Sequence, residues 1–200
     1  MGQTTSVHVS LTQVVSSSPA QAAAFYYNLQ NHMRFNQLAH SIEVLESSGP
    51  ATGPASAQPA TATTSGSEAP VGCWQRYLFI ERVPVLCGLS YMENVLTGKI
   101  RWQEPAGGAE AQHLLLQVTA RNGATGVVVE VTGSAEFEAA PVASAGEGKD
   151  ENGCCVVHLR LAFTCPWLFA GFVRQQATAV HTAFLSDMAR DLRAPHNMKV

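Results

Sequence analysis

Five segments rich in aromatic and β-branched residues follow one another between residues 74 and 165, and a long amphipathic helix comes after them. In the fourth segment Val129 and Val131 share one face, whereas Glu130 and Thr132 share the other. This alternation predicts antiparallel strands with one buried face and one face in solvent. The five segments are Trp74–Val85, Leu89–Trp102, His113–Ala120, Thr125–Ala139 and Cys154–Cys165.

The helix is predicted to begin at Pro166, because proline suits the first helical position, and to run to about Arg193. At 100° per residue it has a broad apolar face, and the polar Gln176 lies near the middle of that face. We expect this face to lie against the sheet. Its apolar members are Leu168, Phe169, Phe172, Val173, Ala179, Val180, Ala183 and Phe184.

The N-terminal part of the chain predicts one strand, two short helices and a second strand. The first helix has a clear start signal, since Ser18 can cap it and Gln21 can close a capping box. The complete order predicts an α+β domain in which a sheet of about seven strands covers the long helix. The N-terminal elements are a strand at 5–16, helices at 22–29 and 32–39, and a strand at 40–46.

Composition bounds the number of domains. Two hundred residues, 46% of them apolar, can form one domain with a sizeable core. Residues 47–71 and 140–153 consist mostly of small and polar residues, which bury too little surface to offset the entropy of ordering them. We therefore predict a single domain over residues 1–200 with flexible insertions at 47–71 and 140–153.

Charge and cysteine usage disfavour several classes of function. The net charge is −3 and the 12 Lys and Arg residues are scattered, so no nucleic-acid partner is expected. The sequence contains no apolar run of about 18 residues, so no transmembrane segment is predicted. The five cysteines form no C-x-x-C pair and the seven histidines form no zinc motif. We expect reduced thiols, no metal, no cofactor and a cytoplasmic monomer.

The N-terminus matches the pattern for myristoylation. Residues 1–6 read MGQTTS, which would make Gly2 the acceptor. One acyl chain without a basic patch or a second lipid site binds membranes only weakly. The match leaves weak, reversible membrane contact through Gly2 open as an alternative to a purely cytoplasmic location.

The order of elements and several short segments resemble the helix-grip fold of the START-like (SRPBCC) superfamily. That superfamily includes plant pathogenesis-related allergens, polyketide cyclases and coenzyme-Q-binding proteins. Within it, the chain looks closest to an uncharacterised branch best known from fungi. The resemblance implies a cavity for a lipid, sterol, quinone, polyketide or other apolar molecule, and it transfers no active site. The segments that carry it are RFNQL at 34–38, RYLFIERV at 76–83, Gly88, GKI at 98–100, GFV at 171–173 and His181.

The inward side chains have two interpretations, since they could line such a cavity or fill a solid core. A void leaves no signal in the periodicity, so the sequence does not separate these cases. Gln176 could contact a ligand, with Tyr77 or Asn94 across the hollow, or it could hydrogen-bond to the sheet or lie at the cavity mouth. The ligand-binding candidates are Tyr77, Phe79, Met92, Asn94, Leu96, Leu116, Val129, Val131, Phe163, Phe169, Phe172, Gln176 and Val180.

A group of charged residues on neighbouring strands also has two interpretations. Glu81, Arg82, Glu93 and Arg101 could form a buried acid–base group of a cyclase-like site. We favour cross-strand ion pairs on the solvent face, because that is the commoner role of such residues in sheets.

The remaining polar and aromatic candidates are predicted to be structural or exposed. His181 lies at the edge of the apolar stripe of the long helix, where it could take a pocket role, and a half-exposed surface position is favoured. His158 and Arg160 share the outward face of the last strand. Trp102 and Trp167 are predicted to lie in the core or at a cavity rim, since no basic groove accompanies them.

Three functions remain open from the sequence. The first is non-catalytic binding or transport of an apolar small molecule in an internal cavity. The second is an enzyme of the cyclase or dehydratase type that uses a pocket carboxylate or histidine. The third is a protein-interaction module with a filled core. We favour the first, and no catalytic residue is assigned.

Overall fold

The computed structural model describes seven segments of the chain. Gly2, Cys87, Gly88 and nearly all of the two predicted insertions lie outside them. The described segments are residues 3–36, 38–48, 72–85, 90–103, 111–122, 126–140 and 153–193.

Seven strands form one antiparallel sheet. The spatial order is β1-β7-β6-β5-β4-β3-β2, so strands β2 to β7 form a continuous meander and β1 returns to pair with the last strand. The third strand has the bounds that its sequence predicts, and the second extends two residues further than predicted. The strands are β1 (Thr4–Val15), β2 (Ala39–Ser48), β3 (Trp74–Val85), β4 (Ser90–Gln103), β5 (Gln112–Asn122), β6 (Val128–Ala139) and β7 (Cys155–Pro166).

Two short helices connect the first two strands. Helix α1 (Pro19–Tyr27) begins with the predicted capping box between Ser18 and Gln21. Helix α2 (Leu29–Phe35) begins earlier than predicted, because the Asn28 side chain accepts a hydrogen bond from the Gln30 amide and caps it.

A long helix, α3 (Ala170–Arg193), follows one 3₁₀ turn at Trp167–Phe169. The two ends of α3 differ in their packing. Phe184, Leu185 and Met188 near its C-terminal end are buried in the core. Toward its N-terminal end Phe172 is 47% exposed, and Leu168 in the preceding turn is 70% exposed. The predicted uniform apolar face is therefore wrong for Leu168 and for Ala179, which is also exposed.

The inner face of the sheet is divided in the same way. At one end, Trp102, Phe137 and Leu159 are buried with Tyr26 of α1. Near the middle of β6, Gly133 has no side chain where Leu161 of β7 comes close, so any larger residue would collide with it. The predicted α+β architecture, a curved antiparallel sheet around a long C-terminal helix, is confirmed.

Candidate functional site

A cavity of about 230 Å³ lies between the curved sheet and the N-terminal half of α3. Its walls come from the inward faces of β2 to β7, from α3, and from α1 and α2. Phe172 lines the cavity and is also half-exposed, which places it at the rim of a cavity that is partly open to solvent. A concave, mostly apolar space with a few polar groups is the usual form of a small-molecule site.

Most of the predicted ligand-binding candidates lie around this cavity. Phe169 does not line it, because the 3₁₀ turn places this residue before the helix reaches the cavity. The side chain of Met92 lies outside the described part of the structure, as does Gly2. The candidates that line the cavity are Tyr77, Phe79, Asn94, Leu96, Leu116, Val129, Val131, Phe163, Phe172, Gln176 and Val180.

Glu81 of β3 is also a cavity residue, and its predicted place on the solvent face is wrong. Its Oε1 atom accepts a hydrogen bond of 3.0 Å from Nδ2 of Asn36, at the C-terminal end of α2. Asn94 lies directly opposite it on β4. Burial raises the pKa of the Glu81 carboxyl, and the hydrogen bond from Asn36 opposes this effect in part.

Two histidines line the cavity from the helical side. His32 of α2 donates through Nε2 to the carbonyl of Tyr26 at 2.7 Å, and its ring stacks on Phe184 with the centroids 4.5 Å apart. His181 of α3 is the second. Burial lowers the pKa of both, and the neighbouring His32 further lowers the pKa of His181, to about 4. Both rings are therefore neutral at pH 7.

His32 was missed by the sequence reasoning, and His181 was predicted at the surface. The error on His32 follows from the misplaced start of α2, which assigned this residue to the first turn of the helix. The error on His181 follows from its place at the edge of the apolar stripe on the helical wheel, where a half-exposed surface position was favoured over the pocket role that was also open.

Tyr77 occupies space that a glycine on the neighbouring strand leaves open. Its ring lies over Gly98 of β4, the residue directly opposite it in the register, and a Cβ atom at that position would lie inside the ring. Burial raises the pKa of the Tyr77 and Tyr26 hydroxyls far above the physiological range, with smaller effects from Glu81 and Tyr77 respectively. Both tyrosines stay protonated.

The other charged candidates lie on the outer face of the sheet. Arg82 and Glu93 form an exposed ion pair at 3.1 Å, as predicted, and Arg101 is exposed. Arg160 pairs with Glu136 at 3.1 Å. These residues do not contribute to the cavity.

The two tryptophans and His158 have separate outcomes. Trp102 is fully buried and donates through Nε1 to Gln112, which confirms its core position. Trp167 is 62% exposed and is not among the residues that line the cavity, so its predicted position in the core or at the cavity rim is wrong. His158 lies on the outer face of β7 and contacts the Thr12 hydroxyl at 3.2 Å.

Comparison with known proteins gives a fold and no closer relationship. No protein-family model matches the sequence, and no curated protein is significantly similar to it. The aromatase/cyclase Zhui from Streptomyces sp. R1128 superposes with a TM-score of 0.51 over 95% of this chain and 98% of its own, at 13% identity. The chain has the helix-grip fold.

Two further solved structures superpose with lower TM-scores. A truncated norcoclaurine synthase from Thalictrum flavum is 14% identical, with a TM-score of 0.48 over 98% of this chain and 99% of its own. A START superfamily protein from Mycobacterium smegmatis is 12% identical, with a TM-score of 0.46 over 92% of this chain and 98% of its own. At these levels of identity the similarity extends to the fold alone.

Metal binding and membrane insertion each require a particular arrangement of residues. Within the seven described segments, no group of three or more His, Cys, Asp or Glu residues is arranged to hold a metal ion. No described helix is long and apolar enough to cross a membrane. Cys73, Cys154, Cys155 and Cys165 are free thiols.

Proposed function

We propose that this protein binds an apolar small molecule in the cavity between the sheet and α3, without catalysing a reaction. The observation that carries the proposal is the cavity itself, with apolar walls and a small set of polar groups from both sides. An open space inside a domain forfeits packing contacts, so its retention favours a role in holding a ligand. The same space disfavours the interaction module with a filled core.

The proposal can be tested by occupying the cavity with a side chain. Ala177 of α3 lines the cavity, whereas Ala179 of the same helix is exposed. Native mass spectrometry of the gently purified protein should show a small-molecule adduct in the parent chain and in Ala179→Phe. Ala177→Phe should lose it. An adduct that persists in a folded Ala177→Phe variant, or no adduct in any of the three, would contradict the proposal.

A second candidate function is an enzyme of the cyclase or dehydratase type. It is favoured by Glu81, a carboxyl group with a raised pKa inside the cavity, since such groups serve as general acids or bases. Once a bound ligand is identified, its chemical conversion by the parent chain and not by Glu81→Gln would support the enzyme. An unchanged ligand after prolonged incubation would support the carrier.

The division of the chain into one domain with two insertions is a further proposal, as is its place in a particular branch of the superfamily. A single domain with insertions at 47–71 and 140–153 is supported by the composition of these segments. Deleting residues 49–70 should change the urea midpoint little, because loop closure depends weakly on length, and a large loss of stability would contradict this. Membership of a branch best known from fungi has no support among the solved structures compared above, and stays a prediction.

Location in the cytoplasm is a further proposal, supported by the four free thiols of the described residues, which suit a reducing compartment. Fractionation of the native cell tests it, with recovery in the soluble fraction as the expected result. Recovery with membranes would favour the alternative of lipid attachment at Gly2.

A further inference from the structure

The cavity contains hydrogen-bonding groups that the protein itself does not use. Within the described part of the chain, no hydrogen bond engages the amide of Gln176, the ring of His181 or the hydroxyl of Tyr77, and Glu81 uses Oε1 for Asn36. No buried side-chain nitrogen or oxygen there lacks a partner. The unused atoms are therefore accessible from the cavity, where a ligand can reach them.

The polar groups of the cavity favour their uncharged forms. Burial raises the pKa of Glu81 and of Tyr77, and lowers the pKa of His32 and His181. Among the described residues that line the cavity there is no lysine or arginine. A bound carboxylate or phosphate would lose its hydration and gain no cation, which is costly in an apolar space. These walls suit an uncharged ligand.

The volume bounds the size of the ligand. A cavity of about 150 Å³ is enough to hold benzene, and sites for drug-sized ligands begin at about 300 Å³. At about 230 Å³ the present cavity falls between these limits. One or two rings fit inside it, whereas a sterol skeleton or a long acyl chain would extend past Phe172 at the rim.

From these observations we infer that the cavity takes an uncharged molecule of one or two rings that carries a hydroxyl or carbonyl oxygen, and that Glu81 contacts this oxygen. The inference rests on the proposed function and narrows it to a ligand class. Asn36 fixes one oxygen of the Glu81 carboxyl, so the other is oriented by the protein before the ligand arrives. Such preorganisation reduces the entropy cost of binding.

A panel of bicyclic probes tests the ligand class on the full chain. We expect 2-naphthol and 2-tetralone to bind at pH 7 at least tenfold more tightly than 2-naphthoate in calorimetric titrations. Equal or tighter binding of the naphthoate would overturn the inference. Binding of a fatty acid or sterol without binding of either neutral probe would overturn it and leave the proposed function standing. If no apolar molecule binds, the inferred ligand class and the proposed function both fail.

Substitution of Glu81 tests its role. Glu81→Leu should reduce the affinity for 2-naphthol about tenfold, because the hydroxyl loses its partner. The matched control is Glu93→Gln on the outer face, next to Glu81 across the strand pair. Its affinity should equal that of the parent chain, and circular dichroism should verify that both variants are folded. An unchanged affinity in a folded Glu81→Leu variant would remove Glu81 from the site.

The pH dependence distinguishes direct contact from a structural role. A ketone can only accept a hydrogen bond, so 2-tetralone needs a protonated Glu81, whereas 2-naphthol can also donate to the carboxylate. As the pH is raised, tetralone affinity should fall when Glu81 ionises, and naphthol affinity should not. In Glu81→Gln the tetralone affinity should become independent of pH. A fall that persists in this variant, or no fall in the parent, would overturn the contact.

The other titratable groups that face the cavity, among the described residues, favour their neutral forms. They are Tyr26 of α1, His32 of α2, Tyr77 of β3 and His181 of α3. The tyrosines have a raised pKa and the histidines a lowered one, so all four are neutral at pH 7, and the Glu81→Gln variant separates any contribution from them. Asn36 and Asn94, which lie next to Glu81, carry no charge. The expected pH effect therefore reports on Glu81.

Discussion

Replacing His181 by glutamine should make the protein less sensitive to acid. The pKa of His181 falls from 6.5 in the unfolded chain to about 4 in the folded protein, because burial and the neighbouring His32 disfavour the imidazolium ion. At a pH between these two pKa values, His181 is mostly protonated in the unfolded chain and mostly neutral in the folded protein. The stability contributed by neutral His181 is thus complete above about pH 6.5 and is lost as the pH falls toward 4.

The magnitude follows from the size of this difference. A pKa lowered from 6.5 to about 4 corresponds to at most about 3 kcal/mol of unfolding free energy. The ring is partly accessible from the cavity, so water there screens part of this effect and about 1–2 kcal/mol is the expected change. With a urea dependence of about 2 kcal/mol per molar, the midpoint should shift by about 0.5–1 M.

Urea unfolding followed by tryptophan fluorescence provides the assay, since Trp102 is 2% exposed in the folded protein and becomes exposed on unfolding. The parent chain, His181→Gln and the outer-face control His158→Gln are compared at several pH values from 7.5 to 4. The midpoint of His181→Gln should fall less on acidification than those of the other two. Parallel curves for all three proteins would refute the argument that His181 is held neutral by its surroundings.

Three further predictions follow from the cavity and the N-terminus. Gly98→Ala should lower the unfolding free energy by about 1–3 kcal/mol, because the new methyl group overlaps the Tyr77 ring, and combining it with Tyr77→Leu should cost less than the sum of the two changes. Gln176→Leu should leave stability unchanged or higher while weakening a hydroxyl- or carbonyl-bearing ligand by about 1–3 kcal/mol; equal affinity in titrations would make Gln176 structural. If Gly2 is lipidated, which is the alternative to a purely cytoplasmic location, mass spectrometry of the native protein should find a myristoyl group there, and a free or acetylated terminus would exclude it.

The strands were predictable because each one satisfies a single local rule. Enrichment in aromatic and β-branched residues defined Trp74–Val85 without error, and alternation with a period of two supported the later strands within a few residues. The bounds of α2 were not predictable to the same degree. Asn28 caps the start of α2 and Asn36 ends it, and both residue types occur at helix starts as well as helix ends, so the sequence alone did not fix which role each one takes.

The face of α3 was harder to predict than its length. A helical wheel treats every turn as equally buried, but α3 packs tightly on the sheet only in its C-terminal half. Phe172 and Leu168 are as apolar as Phe184 and Leu185, and yet they are far more exposed because they lie outside this tightly packed half. The difference arises from the curvature of the sheet, which no pattern within α3 encodes.

The cavity itself leaves no periodic signal, but its polar residues do leave one. Glu81 is in phase with Tyr77 and Phe79, the positions already assigned to the inner face of β3. An ionisable residue in phase with buried neighbours is costly in a solid core. The phase of Glu81 within β3 would have placed it in the cavity. Grouping it with the charged residues of neighbouring strands placed it on the solvent face instead.

The distribution of such residues separates the filled part of the domain from the hollow part. Where the inner face of the sheet meets α1 and the C-terminal half of α3, most described positions are apolar, as at Phe137 and Leu159, and the inward Gln112 accepts a hydrogen bond from Nε1 of Trp102. Glu81, which is ionisable, occupies an inward position on the other side, where it lines the cavity. Polar groups are tolerated inside a domain where the protein, water or a ligand can satisfy them. The same alternation thus encodes both parts, and the ionisable exception to it, Glu81, marks the part that is hollow.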